Sequence, residues 1–213
     1  MFLEFCNYNT SFEKSKDEYI EEIFNAIELG FSGVCISLPI LRDMREYLSG
    51  CELTIATEVD YPRGLSDKKV RMHETLLCLK SGANLIDIPV NPILIQNEEY
   101  SKISEEIVSL RRACSDYNST LRIIIDHNKY ELSKVVALNK LFEDCEIEYV
   151  LPSSGYHNDD IYDNLIACTA IEARTNVKCI CNGYIWLKKH YDYVVKSGVF
   201  GLRIYSLKTF CNF

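Results

Sequence analysis

Short apolar runs and amphipathic stretches alternate along the chain. Runs rich in Ile, Val and Leu lie near 2–6, 33–38, 52–59, 84–90, 121–127, 146–151, 176–182 and 200–205. Runs of this length and composition read as strands buried on both faces. Between them, Ile20, Ile23, Phe24, Ala26 and Ile27 recur at helical spacing over 15–29, and Gly30 ends that helix. Val70, Leu76, Leu77 and Leu79 mark a helix over 65–81 that stops at Gly82. Ile103, Ile107, Leu110 and Ala113 mark another over 97–117. Three more helices fit 130–143, 159–174 and 185–197.

Eight strands alternating with helices predict an α/β chain folded as a parallel (β/α)8 TIM barrel. An open, doubly wound sheet is the alternative, because periodicity does not separate closed from open. The 213 residues fall short of the roughly 250 of a typical barrel. Only 207–213 follow the eighth strand, so a trimmed last helix is expected. No linker, repeat or low-complexity stretch divides the chain, and 1–213 is expected to be a single TIM-barrel domain. Pro39, Pro62, Pro89, Pro92 and Pro152 all lie near C-terminal ends of predicted strands, where a barrel builds its site-forming loops.

Charge removes some function classes. The net charge of −8 opposes binding to a phosphate backbone, which needs a basic face. No run of about 18 apolar residues is present, so no membrane span is expected. The N-terminus has no basic region followed by an apolar one, so no signal peptide is read there. The ten cysteines are spread through apolar runs, as reduced, buried thiols are, and a cytoplasmic protein is expected.

Several ordered segments are similar to the deoxyribose-phosphate aldolase family. Tyr149 to Tyr156 reads Tyr-Val-Leu-Pro-Ser-Ser-Gly-Tyr. It resembles that family's sixth-strand segment, aromatic-Val-Lys-Thr-Ser-Thr-Gly-aromatic. Gly33-Val34-Cys35-Ile36-Ser37 resembles its Val-Cys-Val-Asn strand, and Tyr61-Pro62-Arg63-Gly64 its Phe-Pro-Leu-Gly loop. Gly82 to Asn91 follows its Gly-Ala-Asp-Glu-Ile-Asp-Met-Val-Ile-Asn, and Leu121 to His127 its Leu-Lys-Val-Ile-Ile-Glu-Thr. Val177-Lys178 and Asn182-Gly183 stand where it has Val-Lys and Gly-Gly, and 196–206 follows its last strand. The resemblance runs from about Gly30 to Ser206.

The resemblance implies a site at the C-terminal mouth of the barrel. Leu151 stands where the family has the lysine that forms a Schiff base. Asp87 matches its proton-transferring aspartate. Lys178 matches its second lysine, although four residues separate Lys178 from Gly183 where the family has two. Asp126 stands at its strand-five carboxylate, next to His127. Asp87, Lys178 and Asp126 are therefore the catalytic candidates. Cys35, Asn91, Ser153, Ser154, Gly155, Asn182, Gly183 and Ser206 are the candidates for binding substrate or its phosphate. Bland readings stand beside these: a capping aspartate, a solvent-facing Lys178, and buried structural thiols at Cys35, Cys179 and Cys181.

These residues leave three functions open. In the preferred one the chain is a divergent relative acting as a lyase or isomerase-type enzyme on a small phosphorylated or carbonyl-bearing metabolite. In the second it is a catalytically inactive binding or scaffold protein, as Leu151 suggests. In the third, Glu58, Asp60, Asp87 and Asp126 form a metal-dependent site. The preferred reading expects no cofactor and no resident metal. Its expected partner is a small-molecule substrate, with neither nucleic acid nor membrane, and a homodimer is left open.

Overall fold

The computed structural model describes residues 1–7 and 14–211. The elements run β1 (Phe2–Cys6), α1 (Lys16–Glu28), β2 (Gly33–Cys35), α2 (Leu38–Leu48), β3 (Thr54–Glu58), α3 (Lys68–Lys80), β4 (Leu85–Pro89), α4 (Pro92–Gln96), α5 (Tyr100–Ser115), β5 (Thr120–Ile124), α6 (Leu132–Asp144), β6 (Tyr149–Leu151), α7 (Ile161–Glu172), β7 (Lys178–Asn182), α8 (Lys188–Ser197), β8 (Gly201–Ile204) and α9 (Leu207–Phe210). All eight strands are parallel and close on themselves in chain order, β8 pairing with β1. The closed (β/α)8 barrel is thus the architecture, and the open sheet is not.

Two sets of side chains alternate along every strand, as a pleat requires. Phe5, Val34, Ile55, Ile86, Ile123, Val150, Cys181 and Leu202 point outward and share one continuous core with helix residues such as Ile23, Met44, Leu79, Ile107, Leu138 and Ile171. The inward set fills the barrel. Ile124, Leu151 and Ile180 form one apolar group inside, and Cys6, Cys35, Ala56, Leu85 and Tyr205 another. Helix starts follow from local chemistry. Ser15 and Glu18 form a capping box at α1, and Asp67 and Asp160 cap α3 and α7 with their side chains.

Periodicity missed two helices. The apolar run expected as a strand over 33–38 ends at Cys35, and α2 begins at Leu38 with Pro39 in its first turn. Leu41, Met44 and Leu48 are its buried stripe. The short α4 was likewise unforeseen; Asn91 caps it by accepting from the Ile93 and Leu94 amides. One helical turn, α9, follows β8.

The loop after β7 is held by backbone packing. Gly183 has φ +151°, and a Cβ there would sit 2.7 Å from the Asp159 carbonyl oxygen. Gly183→Ala is therefore expected to lower unfolding free energy by about 1–3 kcal/mol, since a strained φ and a backbone clash act together. Urea denaturation of the two proteins measures the difference. An unchanged midpoint would contradict the packing.

Candidate active site

Ionised side chains occupy the middle of the barrel. Asp87, at the centre of β4, is fully buried. Its Oδ1 accepts from Arg122 Nε at 2.6 Å and its Oδ2 from Arg122 Nη2 at 2.7 Å. Arg203 Nη2 also donates to Asp87 Oδ2. Both arginines reach Glu4 of β1: Arg122 Nη2 at 3.0 Å and Arg203 Nε at 2.8 Å. Arg203 Nη1 donates to Glu58 Oε1 at 2.9 Å. Five side chains from β1, β3, β4, β5 and β8 so form one network, all shielded from solvent.

Its electrostatics differ from member to member. Burial pushes the Asp87 carboxyl up, but Arg122 and Arg203 outweigh that and hold it below its ordinary value. Burial raises Glu58 well above the carboxylate range, and Arg203 offsets only part of this. Burial likewise pushes the Cys35 thiol well up. The Cys35 Sγ lies 3.9 Å from Asp87 Oδ2.

Lys178 is not part of this cluster. It has the inward parity of β7, but it stands at the N-terminal rim, the end of the barrel opposite the expected mouth. Its Nζ donates to Glu148 at 2.7 Å and lies over the rings of Tyr149 and Phe200. The lysine side chain is 44% exposed. Strand register explains the correction. With two residues between it and Gly183, the spacing implied by the resemblance, the equivalent position is Ile180. Ile180 packs inside on Leu151 and Ile124. Among the described residues, no lysine joins that interior group.

The four carboxylates expected as a metal set are not brought together. Glu58 and Asp87 are register neighbours that share Arg203. Asp60 leaves the strand at φ 53° and accepts from the Ser66 amide and hydroxyl, facing Arg71. Asp126 turns over the β6 loop, where its Oδ1 accepts from the Ser154 amide and hydroxyl at 2.8 Å. Its neighbour His127 faces α7 and bonds Asn164 at 2.9 Å.

Of the residues expected to bind phosphate, Ser153 to Gly155, Asn182, Gly183 and Ser206 lie at the C-terminal ends of β6, β7 and β8. Asn182 Nδ2 donates to the Ser153 carbonyl at 2.9 Å and to the Tyr205 hydroxyl at 2.8 Å. Ser206 follows Tyr205 at the start of α9. The turn amides are committed elsewhere. Gly155 N donates to Ser153 Oγ, Tyr156 N to Ser154 Oγ, and Ser154 N to Asp126. The turn therefore does not offer those amides to a phosphate. Asn91 acts as a helix cap away from the interior network.

A separate cavity of about 220 Å³ opens beside the ends of β4 and β5. Pro62, Arg63, Asp126, Lys129, Tyr130 and His157 are among its walls. His157 Nε2 lies 4.0 Å from Asp126 Oδ2. This places a carboxylate, an imidazole and two cationic side chains around one small space, which suits an anionic ligand. Sequence reasoning overlooked Arg122, Arg203 and Glu4. Their signal was a lone charge inside an apolar strand, which requires a buried partner.

No protein-family profile matches the chain. Curated relatives do. The deoxyribose-phosphate aldolase of Metamycoplasma hominis is 24% identical over 143 residues, 67% of this chain and 64% of that protein. That of Mannheimia succiniciproducens is 26% identical over 147 residues, 69% and 65% respectively. The chain thus matches slightly less than two thirds of these relatives' length. Among solved structures, deoxyribose-phosphate aldolase from Aeropyrum pernix aligns with TM-score 0.85 and 12% identity over 98% of this chain and 87% of its own. A putative deoxyribose-phosphate aldolase from Coccidioides immitis aligns with TM-score 0.83 and 16% identity, over 96% and 80%. These likenesses establish a shared fold.

Asp87→Asn tests the network. It leaves two buried guanidiniums short of an anion, so a loss of about 3–5 kcal/mol in urea unfolding at neutral pH is expected. The sign with pH is fixed by the lowered folded-state value. The stabilisation is present above the unfolded-state value of about 3.9 and disappears as pH falls through the folded-state value. The gap between the two proteins should therefore close in acid. A constant gap across pH would contradict an ionised Asp87.

Proposed function

We propose that this chain, a divergent relative of the deoxyribose-phosphate aldolases, acts without an imine as a lyase or isomerase-type enzyme on a small anionic, carbonyl-bearing metabolite. The observation that carries this reading is the interior at Leu151. Leu151 is fully buried against Ile124 and Ile180, and a leucine offers no nucleophile. The middle layer beside it is occupied by the paired arginines and carboxylates, with Asp87 in a structural role. Chemistry then falls to the loops above the barrel.

In this reading, Arg63 and Lys129 hold the substrate's phosphate or carboxylate at the cavity beside β4 and β5. His157 and Asp126 move the proton next to the carbonyl. Asp126 is fixed by Ser154 through one oxygen, which leaves its other oxygen facing His157. The carboxylate and the imidazole thus face one space, as a pair available for acid–base work. The cavity's size admits a small metabolite. Its two cations favour a phosphorylated one, in keeping with the substrate that the relatives' names state.

The same interior supports a second reading, a barrel that binds such a metabolite but does not transform it. One set of measurements separates the two. Borohydride with deoxyribose phosphate or simple aldehydes is expected to leave the protein mass unchanged; a trapped adduct on any lysine would overturn imine-free action. Sugar phosphates are expected to raise the thermal midpoint. His157→Gln is expected to keep that shift and to lower turnover about 10²–10⁴-fold, the range of positioned proton transfer. Stabilisation with no turnover of any sugar phosphate would favour the binding reading. Absence of both would remove the two together.

A further inference from the structure

We propose that Cys6, Cys35 and Glu58 form a binding site for a divalent thiophilic cation of the Zn²⁺ class. The three are the last residues of β1, β2 and β3, consecutive neighbours in the barrel. Their donor atoms all lie within 4.8 Å of one another, and all three residues are buried. Strand ends of this kind are where a barrel places its functional groups. The inference does not rest on the function proposed above.

Glu58 supplies the second observation. Its Oε1 accepts from Arg203, while its Oε2 is buried and has no hydrogen-bond partner among the described residues. A buried carboxylate oxygen left unpaired is costly, and a cation would complete it. Thiolates bind zinc at about 2.3 Å and carboxylate oxygens at about 2.0–2.2 Å. Donors on one ion therefore sit just under 4 Å apart, which small side-chain rotations achieve from the separations found.

Charge selects the ion. Glu4 and Asp87 pair with Arg122 and Arg203. As ligands, two thiolates and one carboxylate carry three negative charges. A divalent cation leaves one negative charge on the site, which faces Arg203; a monovalent ion would leave two. Two sulfurs with one oxygen favour zinc over the hard cations magnesium and calcium. Hard-cation chemistry on four carboxylates, the alternative raised by the sequence, has no such assembly.

The test is to unfold the 213-residue chain, refold it with Co²⁺ as a spectroscopic probe, and repeat with Zn²⁺. The expected result is one bound ion per chain and an intense sulfur-to-cobalt charge-transfer band that Zn²⁺ abolishes. Cys6→Ala and Cys35→Ala should each lose most of the band. Cys168→Ala, in a separate thiol group with Cys179 and Cys181, should retain it. Zn²⁺ should raise the thermal midpoint of the parent and of Cys168→Ala, but not of the Cys6→Ala, Cys35→Ala double variant. A band that vanishes with Cys168→Ala instead, a Cys6–Cys35 disulfide under reducing-agent-free conditions with no ion bound, or no ion at all would overturn the proposal. If the double variant does not fold, Glu58→Gln, which keeps the acceptor for Arg203, must still weaken ion binding at least tenfold.

Discussion

Two guanidiniums in the centre of the barrel set the terms for everything around them. Arg122 and Arg203 are fully buried or nearly so, and each touches carboxylates from other strands. A buried arginine stays charged, so it demands anions within reach. Glu4 and Asp87 answer that demand, and Glu58 accepts from Arg203. They join β1, β3, β4, β5 and β8 by side chains in addition to the backbone ladder. Such a network is not a large source of net stability, because desolvation opposes it. Its effect is to specify register, since sliding any strand by one residue would turn a buried charge into the apolar outer core.

That constraint separates this interior from one arranged around a reactive amine. Asp87 has its oxygens engaged by two cations. Beside it, Ile124, Leu151 and Ile180 form an apolar floor. Lys178 reaches solvent at the far rim, where Glu148 pairs with it. The polar edges that remain lie at the strand ends: Asp126 with His157 over β5, and the Glu58 oxygen next to Cys6 and Cys35.

The barrel was legible because each strand is an apolar run and each outer helix has a buried stripe. The exception is informative. From Gly33 to Leu41 the apolar residues run on through Ile36, Leu38 and Ile40, so strand and helix merge in the pattern, and only Pro39 marks the change. Asp87 was legible as a carboxylate in a buried strand. Its partners were not, because Arg122 and Arg203 lie 35 and 116 residues away. Closure of the sheet, not sequence proximity, brings them together. The Ser153–Gly155 turn could not be judged from sequence either. Whether serine hydroxyls face a ligand or their own backbone depends on side-chain rotation, and here Ser153 and Ser154 accept the turn's own amides. Lys178 shows how two extra residues before a glycine move a side chain from one end of a strand towards the other.

The most direct test of the account is the ionisation of Asp87 in the folded protein. Carbon-13 labelling of aspartate, with the Asp87 signal assigned through Asp87→Asn, allows its carboxyl to be followed by NMR as the pH is lowered. An Asp87 clamped between Arg122 and Arg203 should remain ionised below the ordinary aspartate value of about 3.9. A carboxyl that takes up its proton at or above that value while the barrel stays folded would contradict the network on which the rest of the structure depends.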